Sequence, residues 1–434
     1  MIILGCFFSS RITYGQWVSV LEDVTPVDIV ISPDYSYDQT VYVLDDEQRL
    51  LISETGGTNW ITLYEAANPS DPAQAVLDIL LSPNFKNDNA VLMIHKDGTA
   101  IFSADRGQQW FTMPVPDGTT GIVFSPKMID DYKMFSVTGA FGPVKFYKSV
   151  NGGATWGLVS DIGIGGGFYC RLWNSTDTAS IDHMALLYDN RTVYTTSDAG
   201  IVWSNSFEAQ VSVGDFVFSP KFSEDSTVFA SDAGEIFRNK NGGNAVSWLN
   251  MGTYPGSNSI KFAISPGYKE DLTIYAAVDK VGIIRSTNDG ISWDEFNDGF
   301  GSLLPISIAI SQGEPYTLFA GSMQTGGEPD KVWRYQTSSG IADQGLPAPL
   351  EFHNFPNPFS LETEITFETA SAGHVQLKVY DPAGRKIIIL VDGNMGKGIH
   401  RVNLNCADSN MGPGVYYCRL DAGGSRQVIK LIVK

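Results

Sequence analysis

The chain has 434 residues, and its high glycine content, 12% aromatic residues and only 18% charged residues are typical of many short strands joined by tight turns. The net charge of −19 would repel a phosphate backbone, so nucleic-acid binding is excluded as a role. No apolar run reaches the roughly 18 residues that a membrane-spanning helix needs.

The N-terminus begins with the apolar stretch MIILGCFF, which has no basic segment before it. A complete export signal would carry such a segment, so we interpret residues 1–13 as a partial or truncated leader. The segment TYGQWVSV (13–20) then has the pattern of a single strand, which includes Trp17.

A repeat follows this strand, because six tryptophans recur at intervals of 45 to 50 residues. They are Trp60, Trp110, Trp156, Trp203, Trp248 and Trp293. Each period has room for four strands and three turns, which is the content of one propeller blade. We therefore predict an all-β chain in which residues 14–340 form a seven-bladed β-propeller.

Most repeats open with an apolar strand, then Ser-Pro, an aromatic residue, an acid and a second strand. The clear copies are VISPDYSYDQTVYV (30–43), LLSPNFKNDNAVLM (80–93), VFSPKFSEDSTVFA (217–230) and AISPGYKEDLTIYA (263–276). Blade four, near 171–187, lacks the Ser-Pro, and the last repeat ends without a tryptophan motif. We expect residues around 14–20 to supply the missing strand of that repeat and so close the ring.

Each recurring tryptophan closes a short motif that we call the box. The copies are SETGGTNW (53–60), SADRGQQW (103–110), SVNGGATW (149–156), TSDAGIVW (196–203), STNDGISW (286–293) and the longer NKNGGNAVSW (239–248). These copies resemble the Asp-box, or BNR repeat, of the sialidase, sortilin and xyloglucanase-like propellers.

We expect the box to shape the turn between the third and fourth strands. Its glycine would adopt a positive φ, its Asp or Asn would accept backbone N–H bonds, and its tryptophan would pack between blades. The alternative is calcium or substrate at the acid, but Thr55 replaces that acid without other change, which favours the structural role. The structural residues are Ser53, Gly57, Trp60, Asp105, Gly107, Trp110, Asn151, Gly153, Trp156, Asp198, Gly200, Trp203, Trp248, Asn288, Gly290 and Trp293.

The resemblance implies that ligands bind at the face opposite the boxes, in loops between the second and third strands and between blades. The ligand-binding candidates there are Asp45, Arg49, His95, Asp97, Tyr169, Arg171, Asp189, Asp279 and Lys280. The alternative is that these residues only form hairpin turns, where Asp and Asn are favoured for conformational reasons. We predict no catalytic residue, no metal ligand and no cofactor.

The sequence lacks the catalytic motifs of enzymes with similar propellers. Arg11-Ile12-Thr13 lacks the proline of the sialidase R-I-P motif, the paired acids of xyloglucanases lie between two propellers, and the five histidines fit no catalytic motif. The preferred function is a secreted or cell-surface propeller that binds a glycan or a protein. The alternatives are a glycoside hydrolase that uses acids in the propeller mouth, and a structural or adhesion protein of the envelope.

Residues 341–354 have the composition of a linker, and residues 355–434 form a new domain. Alternation in VQLKVYD and VYYCRL predicts an antiparallel, immunoglobulin-like sandwich. Of the four cysteines only Cys406 and Cys418, both in this domain, are plausible disulfide partners. The motifs NPF, VYDPAGRK, GVYY and KLIVK resemble the type A sorting domain of the type IX secretion system of Bacteroidetes. This resemblance implies recognition by the secretion machinery and a secreted or outer-membrane surface-attached protein; the alternative is an adhesion module.

Overall fold

The structure is a computed structural model that describes residues 15–66, 68, 71–139, 142–165, 170–313, 315–324, 328–336, 352–355, 359–369, 372–381, 385–406, 411–422 and 425–434. The chain divides into two compact units, Met1–Ala342 and Asp343–Lys434. The predicted leader, the linker and Tyr169 lie outside the described residues, except for the last few linker positions.

The first unit consists of seven four-stranded antiparallel sheets, which confirms the predicted seven-bladed propeller. Blade one comprises β2 (Pro26–Ile31), β3 (Val41–Asp45), β4 (Arg49–Ser53) and β5 (Ile61–Glu65). Blade two comprises β6 (Val76–Leu81), β7 (Val91–His95), β8 (Ala100–Ser103) and β9 (Phe111–Met113), and blade three β10 (Thr119–Phe124), β11 (Met134–Thr138), β12 (Lys145–Ser149) and β13 (Gly157–Asp161).

The second half of the ring repeats this order. Blade four comprises β14 (Arg171–Asn174), β15 (Met184–Tyr188), β16 (Thr192–Thr196) and β17 (Ser204–Glu208), and blade five β18 (Val213–Phe218), β19 (Val228–Asp232), β20 (Glu235–Asn239) and β21 (Leu249–Thr253). Blade six comprises β22 (Ile260–Ile264), β23 (Ile274–Val278), β24 (Gly282–Ser286) and β25 (Asp294–Glu295), and blade seven β26 (Leu304–Ile310), β27 (Thr317–Met323), β28 (Lys331–Gln336) and the N-terminal β1 (Val18–Glu22).

The ring is closed by pairing between the two ends of the propeller. Strand β1 pairs antiparallel with β28, with Val18 opposite Arg334. The preceding Trp17 is only 2% exposed, and its indole N–H donates to the Phe296 carbonyl at 2.8 Å. Burial of this large aromatic ring anchors the N-terminal strand, and the pairing covers an edge of blade seven that would otherwise be bare.

The Ser-Pro signature folds into a single helical turn between the first and second strands of five blades. These turns are α1 (Tyr35–Asp38), α2 (Phe85–Asp88), α3 (Met128–Asp131), α4 (Phe222–Asp225) and α5 (Tyr268–Asp271), and a 3₁₀ turn spans Pro72–Gln74. In the first copy, the Ser32 hydroxyl donates to Asp38 at 2.8 Å. None of the described helices is long or apolar enough to cross a membrane.

The box hairpins are held by their own hydrogen bonds. In blade one, Ser53 Oγ accepts the Gly57 N–H at 2.8 Å, and Gly57 has a φ of +91°. Thr55 Oγ1 accepts the Asn59 N–H at 2.9 Å, so a threonine performs here what a carboxylate does in Asp105. The Trp60 indole donates to the Val20 carbonyl at 3.0 Å, which ties this blade to its neighbour.

The second unit is a sandwich of two antiparallel sheets. One contains β29 (Phe352–Phe355), β30 (Glu362–Thr369) and β33 (Gly398–Asn405); the other contains β31 (Gly373–Tyr380), β32 (Lys386–Met395), β34 (Gly414–Ala422) and β35 (Ser425–Val433). The core between them includes the side chains of Ile365, Phe367 and Leu377.

The expected disulfide between Cys406 and Cys418 is wrong, because both are free thiols buried in this core. Cys418 belongs to β34, whereas Cys406 follows β33 in the opposite sheet, so each thiol packs as a small apolar side chain of its own layer. Burial raises the pKa of Cys418 to about 12, which keeps the thiol protonated and unreactive.

Candidate functional site

The loop candidates of blade one bind each other. Asp45 is fully buried, with one oxygen accepting the Arg49 backbone N–H at 2.7 Å and the other accepting Arg49 Nε at 2.6 Å. A carboxylate with both oxygens occupied in this way closes its own hairpin.

The candidates of blade two bond to different neighbours and not to each other. Asp97 accepts both the backbone N–H and the hydroxyl of Thr99, at 2.8 and 2.6 Å. His95 is 5% exposed, with Nε2 3.3 Å from the Tyr64 hydroxyl. Burial lowers the pKa of His95, which keeps the ring neutral at neutral pH.

The candidates of blades four and six also bond locally. Asp189 accepts the backbone N–H groups of Arg191 and Thr192 at 3.2 and 3.1 Å. Asp279 accepts from Asn258 at 3.2 Å, and Lys280 donates to the Gly256 carbonyl at 2.6 Å. The structure therefore does not bring these candidates together around one point, and the described residues contain no cluster of His, Cys, Asp and Glu that could hold a metal ion.

Arg171 differs from the other candidates, because it opens the innermost strand of blade four. It stands four residues before Ser175, which aligns with the serine of the Ser-Pro signature in other blades. We call the residues at this position of the seven blades the channel ring; they are Asp28, Asp78, Gly121, Arg171, Asp215, Lys261 and Ser307. Five of the seven are charged. Sequence reasoning missed the other four charged members, although a charge recurring at one offset in an apolar strand was the signal.

The backbone fixes the ring carboxylates in a repeated way. Asp28, Asp78 and Asp215 each accept the N–H of the next residue, at 2.9, 3.0 and 3.0 Å. The second oxygen of Asp215 takes the Phe262 N–H at 3.0 Å, and Lys261 Nζ donates to the Gly214 carbonyl at 2.7 Å. These bonds orient the charges without pairing them, and no two ring members form a direct ion pair in the described part of the chain.

The charged members of the ring affect one another even though they come from five blades. Burial raises the pKa of Asp78 to about 6, although Arg171 opposes the shift, and burial also raises the pKa of Asp28. Burial disfavours the Arg171 cation. The negative charges of Asp78, Asp215 and Asp28 outweigh this effect, so the pKa of Arg171 is raised. Burial lowers the pKa of Lys261. All five stand at the same position of the innermost strands, which surround the axis of a propeller, so three carboxylates and two cations line the central channel.

A cavity of about 300 Å³, which we call the channel mouth, lies at the C-terminal ends of the innermost strands of blades four to seven. Its aromatic lining includes Trp173, Phe216, Phe218 and Phe262, and Gln312 lies at its edge. First and third strands of an antiparallel blade run in the same direction, so this mouth lies on the face that carries the boxes.

Comparison with known families identifies the second unit. Residues 353–434 match the family described as secretion system C-terminal sorting domain. The unit is therefore a type IX sorting domain, as its motifs predicted, and the protein is exported to the cell surface or beyond it. None of the curated proteins matches the chain.

Solved structures similar to this chain are β-propellers. YCF48 bound to a D1 peptide is 14% identical, with a TM-score of 0.52, over 76% of this chain and 97% of that one. The GH74 xyloglucanase from Xanthomonas campestris is 12% identical, with a TM-score of 0.50, over 82% and 60%. The extracellular domain of a one-component system from B. thetaiotaomicron is 10% identical, with a TM-score of 0.52, over 97% and 58%. At these identities the likeness shows the fold alone.

Proposed function

We propose that the chain is an exported propeller that binds a glycan or a protein ligand without transforming it. The observation that carries this proposal is the local bonding of the loop carboxylates. Asp45, Asp97, Asp189 and Asp279 each hold a turn or loop of their own blade. Hydrolysis of a glycoside needs two carboxylates about 5–10 Å apart that face the same bond, and acids engaged in separate hairpins do not supply such a pair.

The similar structures are compatible with either kind of ligand. One similar structure is that of YCF48 bound to a peptide, and another is that of a xyloglucanase, an enzyme of a polysaccharide. Their low identity does not choose between the two, so both belong in the first test.

A glycoside hydrolase is the second candidate, and the channel ring is the observation that favours it. A carboxyl group with a pKa of about 6, such as Asp78, has the protonation that a general acid needs. Asp28 lies on the neighbouring inner strand. Both side chains lie in the channel, so only a sugar that enters the channel would reach them.

The proposal is tested by measuring saturable binding of the full chain to an array of oligosaccharides and to peptides displayed from surface proteins. We expect saturable binding, with a measurable dissociation constant, to an oligosaccharide or to a peptide. The ligand should be recovered chemically unchanged. No binding to either class would contradict the proposal and favour a structural protein of the envelope.

A further inference from the structure

Two departures from the repeat meet at one place on the box face. In the described structure blade four has no helical turn between β14 and β15, and the box of blade five, Asn239–Trp248, is two residues longer than the others. Between them lies a cleft of about 720 Å³. Ligand sites for small molecules typically measure about 300–1,000 Å³, so the cleft has room for a short oligomer.

The walls of this cleft are mostly uncharged but rich in hydrogen-bonding groups. Blade four contributes hydroxyl and amide side chains, and blade five contributes two more amides; they are Thr195, Ser197, Ser204, Asn205, Asn241 and Asn244. No lysine or arginine is among the described lining residues. The lining carboxylate, Asp198, already accepts the Val202 N–H at 3.0 Å and the Thr196 hydroxyl at 2.7 Å.

Several of these groups are available to a ligand. Ser197 and Asn205 are exposed, and within the described part of the chain their side chains make no hydrogen bond. A ligand can therefore bind them without displacing an internal partner, which avoids the cost of breaking a buried bond.

The cleft also offers apolar surface. Phe218 and Phe222 contribute to its lining, and His183 packs edge-on against Phe222 with ring centroids 5.0 Å apart. Val202, in the box of blade four, also lines the cleft and is 60% exposed. Apolar contact beside convergent amides and hydroxyls suits a ligand that has both C–H faces and hydroxyl groups.

We propose that this cleft binds an uncharged oligosaccharide. The inference rests on the proposed function and specifies its site and ligand class. Sugar hydroxyls both donate and accept, which matches the amides of Asn205, Asn241 and Asn244. The absence of cations from the described lining gives a phosphate, sialic acid or uronic acid no charge-assisted bond, so neutral sugars are preferred over acidic ones.

The test uses the full chain, three matched tryptophan variants and one alanine variant. Asn205→Trp obstructs the cleft at an exposed position of β17. Thr62→Trp is its control, because Thr62 is exposed at the corresponding position of β5, opposite Leu51 as Asn205 is opposite Tyr194. Gln312→Trp obstructs the channel mouth instead. The probes are neutral hexasaccharides of glucose, mannose and galactose, sialylated and uronic acid-containing oligosaccharides, and the peptides used to test the proposed function.

We expect a neutral hexasaccharide to bind, with a dissociation constant that rises at least tenfold in Asn205→Trp and is unchanged in the other two tryptophan variants. Thermal melting of each variant identifies any loss of folding, and Asn205→Ala, which only removes the amide, should weaken binding as well.

Other outcomes overturn the inference in distinguishable ways. Glycan binding that survives Asn205→Trp, or is lost only in Gln312→Trp, would reject the cleft. Binding of acidic sugars alone, or of peptides alone, would reject the ligand class, and in each of these cases the proposed binding function would stand. If no glycan and no peptide binds the unmodified chain, both the inference and the proposed function fail.

Discussion

Asp78 illustrates how one residue of the channel ring makes stability depend on pH. Its pKa in the folded chain is raised to about 6, above that of an unfolded aspartate, so the folded state binds the proton more tightly. Folding is therefore favoured at acid pH, and this contribution is lost as the pH rises through about 4 to 6.

Asp78→Asn keeps the shape of the protonated acid and removes its charge. We expect the variant to be more stable than the unmodified chain at pH 8, by up to about 3 kcal/mol, and equal to it near pH 3. Urea unfolding of the propeller between pH 3 and pH 8 measures this difference, with Asp130→Asn at an exposed position as the control. A variant that is less stable at pH 8 would show that the Asp78 charge is favourable in the fold.

The charge of Asp78 destabilises the fold, whereas that of Arg171 stabilises it, because the cation offsets three carboxylates. Replacing it by leucine leaves Asp28, Asp78 and Asp215 with Lys261 alone, and removing one partner of a buried charge set typically costs about 3–5 kcal/mol. Because Arg171 is only half-buried, we expect Arg171→Leu to lower the unfolding free energy at pH 7 by less than this amount. Asp78→Asn should stabilise the Arg171→Leu variant by more than it stabilises the unmodified chain, since Arg171 no longer offsets the Asp78 charge. Equal gains in the two backgrounds of this double-mutant cycle would contradict the coupling.

The ring also shows why part of the candidate site escaped sequence reasoning. Each of its charges stands in an otherwise apolar strand, where one charged side chain carries little information. Only the convergence of the inner strands brings Asp28, Asp78, Asp215 and Lys261 together with Arg171. The loop acids were easier to find, but a sequence does not show whether Asp45 faces a ligand or its own Arg49.

At the scale of elements, the box hairpin should depend on its glycine both for its positive φ and for its close contact with the preceding blade. A glycine outside the boxes, Gly256, separates these two effects. Gly200 has a φ of +86°, and a Cβ added there would overlap the ring of Phe146 in the preceding blade. Gly256 has the same φ of +86° with no atom within 4 Å of an added Cβ. Gly256→Ala therefore measures backbone strain alone, of about 1 kcal/mol.

We expect Gly200→Ala to cost a further 1–3 kcal/mol or so, because the methyl group overpacks a buried interface between blades. Urea unfolding of the two variants side by side gives the difference. Equal losses would mean that the hairpin shifts freely relative to Phe146 and that the box does not fix the packing of neighbouring blades.

The local elements were predictable because their bonds are local. The Ser-Pro signature and the box each close within a few residues, as in Ser32 to Asp38 and Ser53 to Gly57. The pairing of β1 with β28 joins residues far apart in the chain, yet the missing strand of the last repeat indicated it. The thiols of Cys406 and Cys418 were misjudged, because sequence does not show which sheet of the sandwich carries each one.

Ring closure makes the N-terminal strand essential to the propeller. Deleting residues 1–22 removes β1 and Trp17, leaves β28 as a bare edge and uncovers the aromatic cluster of Phe296, Phe300 and Tyr335. We expect this deletion to lower the melting temperature and to cause aggregation, whereas deletion of residues 1–14, which keeps the strand, should do neither. Melting and size-exclusion chromatography compare the two deletions; equal behaviour would contradict closure by β1.

At the scale of the whole molecule, one unit serves export, and the other is the propeller for which we propose ligand binding. The sorting domain of residues 353–434 establishes export, and its strands β34 and β35 contain GVYY and most of KLIVK, two of the motifs through which the sequence predicted it. The propeller presents engaged loop acids on one face and two cavities on the other, where the sequence predicted none. These cavities arise from the meeting of neighbouring blades, which no single repeat reveals.

The most direct test of the proposed binding function is release of reducing ends. The full chain is incubated with the glycans that it binds and with plant and host polysaccharides, from pH 4 to pH 8, and new reducing ends are measured. We predict binding without release at every pH. Release from any glycan, abolished by Asp78→Asn, would contradict it and identify the channel ring as the site of a hydrolase.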